Sequence, residues 1–303
     1  MFVSVDPQPS VGVGSGRVLT GLVGRGITAS RSPFMHEQEG DAQGLRLTYS
    51  LFDFTDRGWS DAELPRLLDA VQRIGFAGVN VTLPFKQAVI PLLDELSDGA
   101  RAIGAVNTVA FRDGRRIGFN TDCTGFAESF RHGLPDVPRG TVLQLGCGGA
   151  GSATAHALLA ELSVERLVLF DHDSAKADAL AAQLTQIYGA ARVVVGADAA
   201  RAAAAADGLV NATPMGMDKF PGLPLPASAI EPRHWVAEIV YFPLVTEFLA
   251  EARRKGCRTL DGGGMAVHQA AEAFEIFTGK SANRQRMQAS FTAFAAERSK
   301  AAA

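Results

Sequence analysis

Lys86 closes the run Gly78-Val79-Asn80-Val81-Thr82-Leu83-Pro84-Phe85-Lys86, and Asp122 closes Gly118-Phe119-Asn120-Thr121-Asp122. A lysine and a carboxylate brought together form a proton-transfer pair. Lys86 follows a proline and falls at the start of a helix, where the dipole disfavours a cation. A charge set against the local electrostatics is a candidate for function. Farther on, Gly146-Cys147-Gly148-Gly149-Ala150-Gly151 follows an apolar run and precedes an alanine-rich one. That context suits a dinucleotide loop. Gly146 permits the tight turn, Gly148 lets the backbone approach a pyrophosphate, and Gly151 lets helix and strand pack closely. Gly149 and Ala150 open the helix, whose free N–H groups attract phosphate. Asp171, about twenty residues after Gly151, stands where a carboxylate accepts hydrogen bonds from an adenosine ribose. A proton-transfer pair in one domain facing a hydride carrier in another follows from these positions.

The stretch Asp171-His172-Asp173 also bears on the cofactor. A 2′-phosphate wants an arginine or lysine here, whereas two carboxylates repel it; Lys176 lies one helical turn later. NAD is expected over NADP.

The elements that must position these groups are read from apolar periodicity. Strands are expected at 18–24, 45–52 and 78–82, with Asn80 and Thr82 on one face. Leu64, Leu67, Leu68 and Val71 predict a helix over 61–74, capped by Ser60. A helix starting at Phe85 is expected to break at Pro91. Segments 105–111 and 115–118 flank Asp113-Gly114, a hairpin signal. A helix over 122–132 leads to Pro135 and Pro138, the expected crossing between domains. Strands at 141–145, 166–170, 192–195, 208–211, 235–240 and 258–260 then alternate with helices at 149–162, 174–188, 197–206 and 245–255, and two helices follow Gly263. Such alternation predicts a parallel sheet covered on both faces. Residues 1–16, rich in Pro, Ser and Gly, read as a loose lead-in.

The 303 residues suggest two domains, and 47% hydrophobic with 20% charged residues is ordinary for a globular chain. A net charge of −3 favours neither nucleic acid nor an anionic membrane. No apolar run is long enough to span a bilayer, and the N-terminus lacks the pattern of a secretory signal. Three separated cysteines, Cys123, Cys147 and Cys257, fit a reduced cytoplasm better than a disulfide framework. The histidines form no short-spaced ligand set, so no metal site is expected.

The motifs 80–86, Gly104-Ala105-Val106-Asn107-Thr108 and Gly118-Phe119-Asn120-Thr121-Asp122 together resemble the shikimate dehydrogenase family. So do Ser30-Arg31-Ser32-Pro33, Asn211-Ala212-Thr213-Pro214-Met215-Gly216-Met217 and Asp261-Gly262-Gly263-Gly264-Met265. Met35-His36-Glu37, Asp171 and the stretch from Met265 to Ala270 resemble its NAD-dependent quinate/shikimate branch most. The resemblance covers about residues 19–295. It implies an α/β fold: a substrate domain with a mostly parallel sheet, residues 1–122 completed by helices in 264–303, and a Rossmann-type domain, residues 123–263. It implies that Lys86 and Asp122 are the catalytic pair and that Ser30 and Ser32 bind a substrate carboxylate. Asn80, Thr82, Asn107, Asp122 and Gln269 would hold ring hydroxyls, and Tyr241 would line the pocket. Asn211, Thr213, Met215 and Gly262 would lie along the cofactor, with Met265 near the nicotinamide. NADP-using members carry Asn-Arg-Thr where this chain has Asp171-His172-Asp173.

The implied reaction is the interconversion of shikimate and 3-dehydroshikimate in a cytoplasmic enzyme of the chorismate pathway, a monomer or homodimer. Quinate and an amino analogue of shikimate are alternative substrates. An NAD-binding regulatory module without turnover is the alternative of another class, although binding alone does not need the Lys86–Asp122 pair. Which of the two takes the proton during oxidation stays open. Cys123 has no paired base in sequence and does not read as a nucleophile. Arg31, if its segment is extended, points away from Ser30 and Ser32 toward solvent or another domain.

Overall fold

The computed structural model describes residues 16–301, with side chains to residue 293, so nearly all of the lead-in expected at 1–16 lies outside the described residues. The strands are β1 Arg17–Gly24, β2 Arg46–Asp53, β3 Gly78–Val81, β4 Glu95–Leu96, β5 Thr108–Arg112, β6 Arg115–Phe119, β7 Thr141–Leu145, β8 Arg166–Phe170, β9 Val193–Val195, β10 Gly208–Asn211, β11 Trp235–Glu238 and β12 Arg258–Leu260. They fall in two compact units. One is Asp122–Ala266; the other comprises the described residues before Asp122 and after Ala266.

The first unit holds a sheet of order β2-β1-β3-β5-β6-β4. The pairs β1–β2, β1–β3 and β4–β6 are parallel, while β3–β5 and β5–β6 are antiparallel. The β5–β6 hairpin turns at Asp113 and Gly114, both with positive φ (50° and 76°), as an Asp-Gly turn requires. Leu64, Leu67, Leu68 and Val71 bury one face of the helix Leu64–Arg73 against the sheet. That helix starts later than its apolar spacing suggested. Asp61–Glu63 forms a tighter turn, and Ser60 makes no side-chain cap. The cause is Pro65, which has no N–H to give an upstream carbonyl and is tolerated only in a helix's first turn.

The second unit holds a sheet of order β12-β11-β10-β7-β8-β9 in which every pairing is parallel. Counted within the unit, this is the 3-2-1-4-5-6 order of a dinucleotide-binding fold. The order reverses between β7 and β10. Ligands bind such sheets outside the carboxyl ends of the strands at that reversal. The strands there, such as Val142–Leu145 and Gly208–Asn211, are buried throughout, which explains why they are mostly apolar apart from Gln144 and Asn211.

Candidate active site

In the second unit the glycine loop leaves β7 at the reversal point. Gly146 has φ +98°, and a Cβ there would meet the Ala212 carbonyl carbon at 2.7 Å; a Cβ on Gly151 would run into the Gly146 oxygen. Both positions therefore demand glycine. Gly148 is exposed, with open space around it, and with Gly149 and Ala150 it begins the helix Gly149–His156. These residues fit a pyrophosphate: backbone N–H groups at a helix start, with no side chain in the way. Gln144, wholly buried on β7, holds the loop. Its amide donates to the carbonyls of Gly146 (3.0 Å) and Gly151 (2.8 Å), and its Oε1 accepts from the Thr154 hydroxyl at 2.9 Å.

Asp171, half-buried past the end of β8, accepts from the Cys147 N–H at 2.8 Å and the Asp173 N–H at 3.0 Å, one on each oxygen. The carboxylate is thus fixed beside the loop while each oxygen retains a lone pair for a sugar hydroxyl. Lys176 pairs with Asp173 at 3.4 Å, both side chains being exposed. Cys147 is buried, and burial, with Asp171 adding to it, pushes its thiol up to about 12, so it stays protonated.

Asn211 ends β10, beside Glu238 on β11. Its Nδ2 donates to both Glu238 oxygens (3.0 and 2.9 Å) and to the Met215 carbonyl (2.9 Å); its Oδ1 accepts from the Thr213 N–H and hydroxyl at 3.0 and 2.6 Å. Glu238 also accepts from the Val240 N–H and the Thr246 hydroxyl, each at 3.0 Å. Glu238 is 1% exposed, and burial pushes its carboxyl up to about 7 despite these donors. The loop carrying Thr213 and Met215 is thus tied to a buried acid. Gly262 packs under the Ile239 and Val240 carbonyls, and Tyr241 follows, half-buried.

In the first unit Ser30 and Ser32 lie after β1 and are half-buried. The segment is curled, not extended: the Ser30 Oγ accepts from the Ser32 N–H at 3.2 Å, a serine turn, and Arg31 has helical φ and ψ ahead of the helix Ser32–Ala42. Arg31 consequently does not reach solvent. It is 5% exposed, its guanidinium lies 4.3 Å from the centre of the Phe291 ring, and Nη1 donates to the Phe291 carbonyl at 3.4 Å. The same helix is pinned at Glu39, wholly buried, by Arg286 Nε at 2.6 Å.

Asn80 on β3 and Asn107 just before β5 are buried and joined by hydrogen bonds. The Tyr49 hydroxyl donates to Asn80 Oδ1 (2.8 Å), Asn80 Nδ2 donates to Thr108 Oγ1 (2.9 Å), and Thr108 donates to Asn107 Oδ1 (3.1 Å). Thr82 lies one residue past β3; its methyl fills the space over Gly24. Lys86, half-buried, sits in the short helix Phe85–Ala88, and the chain breaks there into a tighter turn, Ile90–Leu92, that contains Pro91. Asp122 is 5% exposed and opens the helix Asp122–Gly133. Met265 and Gln269 lie one turn apart on the helix Gly263–Thr278.

His36 is fully buried, its ring 4.7 Å from that of Tyr49 and packed near Phe274 and Phe277, and burial lowers its pKa to about 3. It is neutral and packs rather than transferring protons. Sequence reasoning did not single out Tyr49, Thr108, Thr121, Gln144 or Glu238. Gln144 and Glu238 carried a signal, a polar residue inside an otherwise apolar strand. No group of three or more His, Cys, Asp or Glu able to hold a metal occurs among the described residues, and no described helix is long and apolar enough to cross a membrane.

Residues 22–109 match the shikimate dehydrogenase substrate binding domain, and residues 262–290 match the shikimate 5′-dehydrogenase C-terminal domain. The chain is 50% identical over 279 residues to a quinate/shikimate dehydrogenase (NAD(+)) of Corynebacterium efficiens, covering 90% of this chain and 97% of that protein. It is also 50% identical over 275 residues to a shikimate dehydrogenase (NADP(+)) of Arthrobacter sp., covering 90% and 94%. Among solved structures, the quinate dehydrogenase of Corynebacterium glutamicum in complex with NAD superposes with a TM-score of 0.83 at 44% identity, over 91% of this chain and 99% of that one. Shikimate 5-dehydrogenase of Thermus thermophilus with NADP(H) and shikimate gives 0.80 at 36% identity, over 91% and 99%.

Proposed function

Because the chain belongs to the shikimate dehydrogenase family, we propose that it is an NAD-dependent dehydrogenase of shikimate, with quinate as a second substrate. An NAD(P)-dependent oxidation of a ring alcohol follows from that membership; the choice of NAD and the residue roles are the proposal. The observation that carries it is the convergence, at the point where the second sheet reverses, of the glycine loop, Asp171 and Asn211. The unit Asp122–Ala266 serves as the cofactor domain and the other unit as the substrate domain, the boundaries falling one residue before and three residues after the 123–263 expected from sequence.

A bound dinucleotide would supply the acceptor for the hydride that leaves the carbinol carbon. The protein's own residues do the rest. The glycine loop would hold the pyrophosphate, Asp171 the ribose, and Asn211, Thr213, Met215, Gly262 and Met265 the nicotinamide end. Ser30 and Ser32 donate hydroxyl hydrogen bonds to the substrate carboxylate, which needs no buried cation there. Asn80, Thr82, Asn107 and Gln269 hold ring hydroxyls, with Tyr241 along the pocket. Lys86 and Asp122 take the hydroxyl proton as the ring carbon becomes a ketone, and return it in reduction, where Lys86 is the acid.

NAD is favoured over NADP because Asp171 and Asp173 flank the ribose position and Lys176 already pairs with Asp173. Relatives of equal identity use one or the other by name, so this local chemistry bears the distinction. The test is the rise of NADH absorbance on mixing the protein with NAD and either shikimate or quinate. A folded protein that binds NAD and oxidises neither acid at millimolar concentration would overturn the assignment.

A further inference from the structure

We propose that Tyr49 and Thr108 are positioning residues that lock Asn80 and Asn107 in opposite polarities. Asn80 then accepts a hydrogen bond from the ring acid, and Asn107 donates one to it. This inference rests on the reading that both amides face ring hydroxyls.

One group in the network has a fixed direction. The Thr121 backbone N–H can only donate, and it points at Asn107 Oδ1 at 2.8 Å. Turning the Asn107 amide over would set two donors against each other. With Oδ1 so placed, Nδ2 donates to Thr121 Oγ1 at 2.9 Å. Oδ1 also receives the Thr108 hydroxyl at 3.1 Å, which uses its second lone pair. Thr108 has then spent its only hydrogen, so its oxygen must accept from Asn80, and Asn80 must present Nδ2 at 2.9 Å. The second Asn80 N–H lies 3.3 Å from the Asn107 carbonyl, an acceptor that cannot reverse. Asn80 Oδ1 therefore faces Tyr49, whose hydroxyl donates at 2.8 Å. One backbone amide thus orients the whole chain of side chains.

The remaining valences follow by counting. Both hydrogens of Asn80 are used, leaving one lone pair on Oδ1. Both lone pairs of Asn107 Oδ1 are used, leaving one hydrogen on Nδ2. These buried groups, 6% and 3% exposed, cannot exchange roles without breaking the network. Tyr49 is itself held, its ring against His36 and its N–H on Glu37 Oε1 at 2.9 Å. Because His36 and Glu37 belong to the helix Ser32–Ala42, the polarity of Asn80 is coupled to the element that begins at Ser32. A ring substituent facing Asn80 must be a donor. One facing Asn107 must be an acceptor, so an ammonium group there is rejected, and the site discriminates against an amino analogue at that position.

The experiment measures binding, so that it does not depend on which hydroxyl reacts. Titration calorimetry compares shikimate with each of its mono-deoxy and mono-deoxyfluoro derivatives. Fluorine accepts weakly and does not donate. Opposite polarities predict one ring position where hydrogen weakens binding about tenfold while fluorine costs no more than about threefold, and another where both weaken it about tenfold. In Thr108→Val, Asn80 Nδ2 loses an acceptor while the Thr121 N–H still holds Asn107, so affinity for shikimate falls severalfold, the difference between fluorine and hydrogen at the position facing Asn107 persists, and NAD affinity is unchanged. In Tyr49→Phe, affinity for shikimate falls severalfold with NAD affinity unchanged. Equal losses for hydrogen and fluorine at every position of the wild-type ligand overturn the inference while leaving the dehydrogenase reading intact. A wild-type protein that binds neither shikimate nor quinate overturns both.

Discussion

Two asparagine networks stand at strand ends, one in each unit, and they differ in what lies at their centre. Around Asn80 and Asn107 the partners are neutral: hydroxyls of Tyr49, Thr108 and Thr121, and backbone groups. Around Asn211 the partner is the Glu238 carboxylate, buried and with its pKa pushed up to about 7. The neutral network has no group that changes charge near neutrality, so its donor–acceptor pattern persists across ordinary pH. The carboxylate-centred network fits the ionised form, because its neighbours are donors, yet burial favours the neutral one. A substrate-recognition pattern can thus be rigid in its polarity while the loop proposed to receive the nicotinamide end depends on a proton.

Both networks are proposed scaffolding around a separate reacting pair, and the largest expected effect tests that separation. Lys86→Ala should lower kcat by roughly 10²–10⁴-fold with a smaller effect on KM for either ligand. Steady-state kinetics with shikimate and NAD measures it, and a near-wild-type kcat would remove Lys86 from the chemistry.

The next effect sharpens the contrast itself. A carboxyl whose folded pKa lies above its unfolded 4.5 binds more protons folded than unfolded between the two values. Stability contributed by Glu238 therefore falls as pH rises from about 4.5 to about 7, by on the order of 3 kcal/mol. Glu238→Gln should lose that slope, whereas Thr108→Val should keep it. Urea unfolding at pH 5 and pH 8 distinguishes them, and parallel pH profiles for wild type and Glu238→Gln would show that the carboxylate is not the titrating group.

Smaller effects probe the edges of each network. The ratio of kcat/KM for NAD over NADP should be at least about tenfold, corresponding to roughly 1.4 kcal/mol. Asp171→Ala should narrow it mainly by weakening NAD, and equal use of both cofactors by the wild type would refute the assignment. Last, Ser30→Ala should raise KM for shikimate by roughly tenfold through loss of one hydrogen bond to a charged group, with KM for NAD unmoved. An unchanged KM for the acid would place the carboxylate elsewhere.

Legibility differed between the units for a physical reason. The glycine loop could be read because its requirements are local: Gly146 needs a positive φ and Gly151 a close approach, both within one turn. The helix Ser32–Ala42 drew no periodic signal, because it buries His36, Glu39 and Gly40 along with Met35 rather than an apolar stripe. β4, two residues long, is too short to show alternation. Arg31 could not be placed because its partner, Phe291, is brought to it only by the packing of the last helix.

By itself the amino-acid order determined the alternation that makes the parallel sheet, the residue types suited to proton transfer and dinucleotide binding, and the acid that follows β8. All of these depend on neighbours within a few residues or on spacing along one element. Which way each amide points, and that Glu238 is held out of water beside Asn211, only the tertiary structure decided. Sheet pairing sets Asn80 beside Thr108 and Asn211 beside Glu238. A hydrogen bond's direction is fixed by the partner across the strand, and a carboxyl's pKa by the apolar surface packed over it.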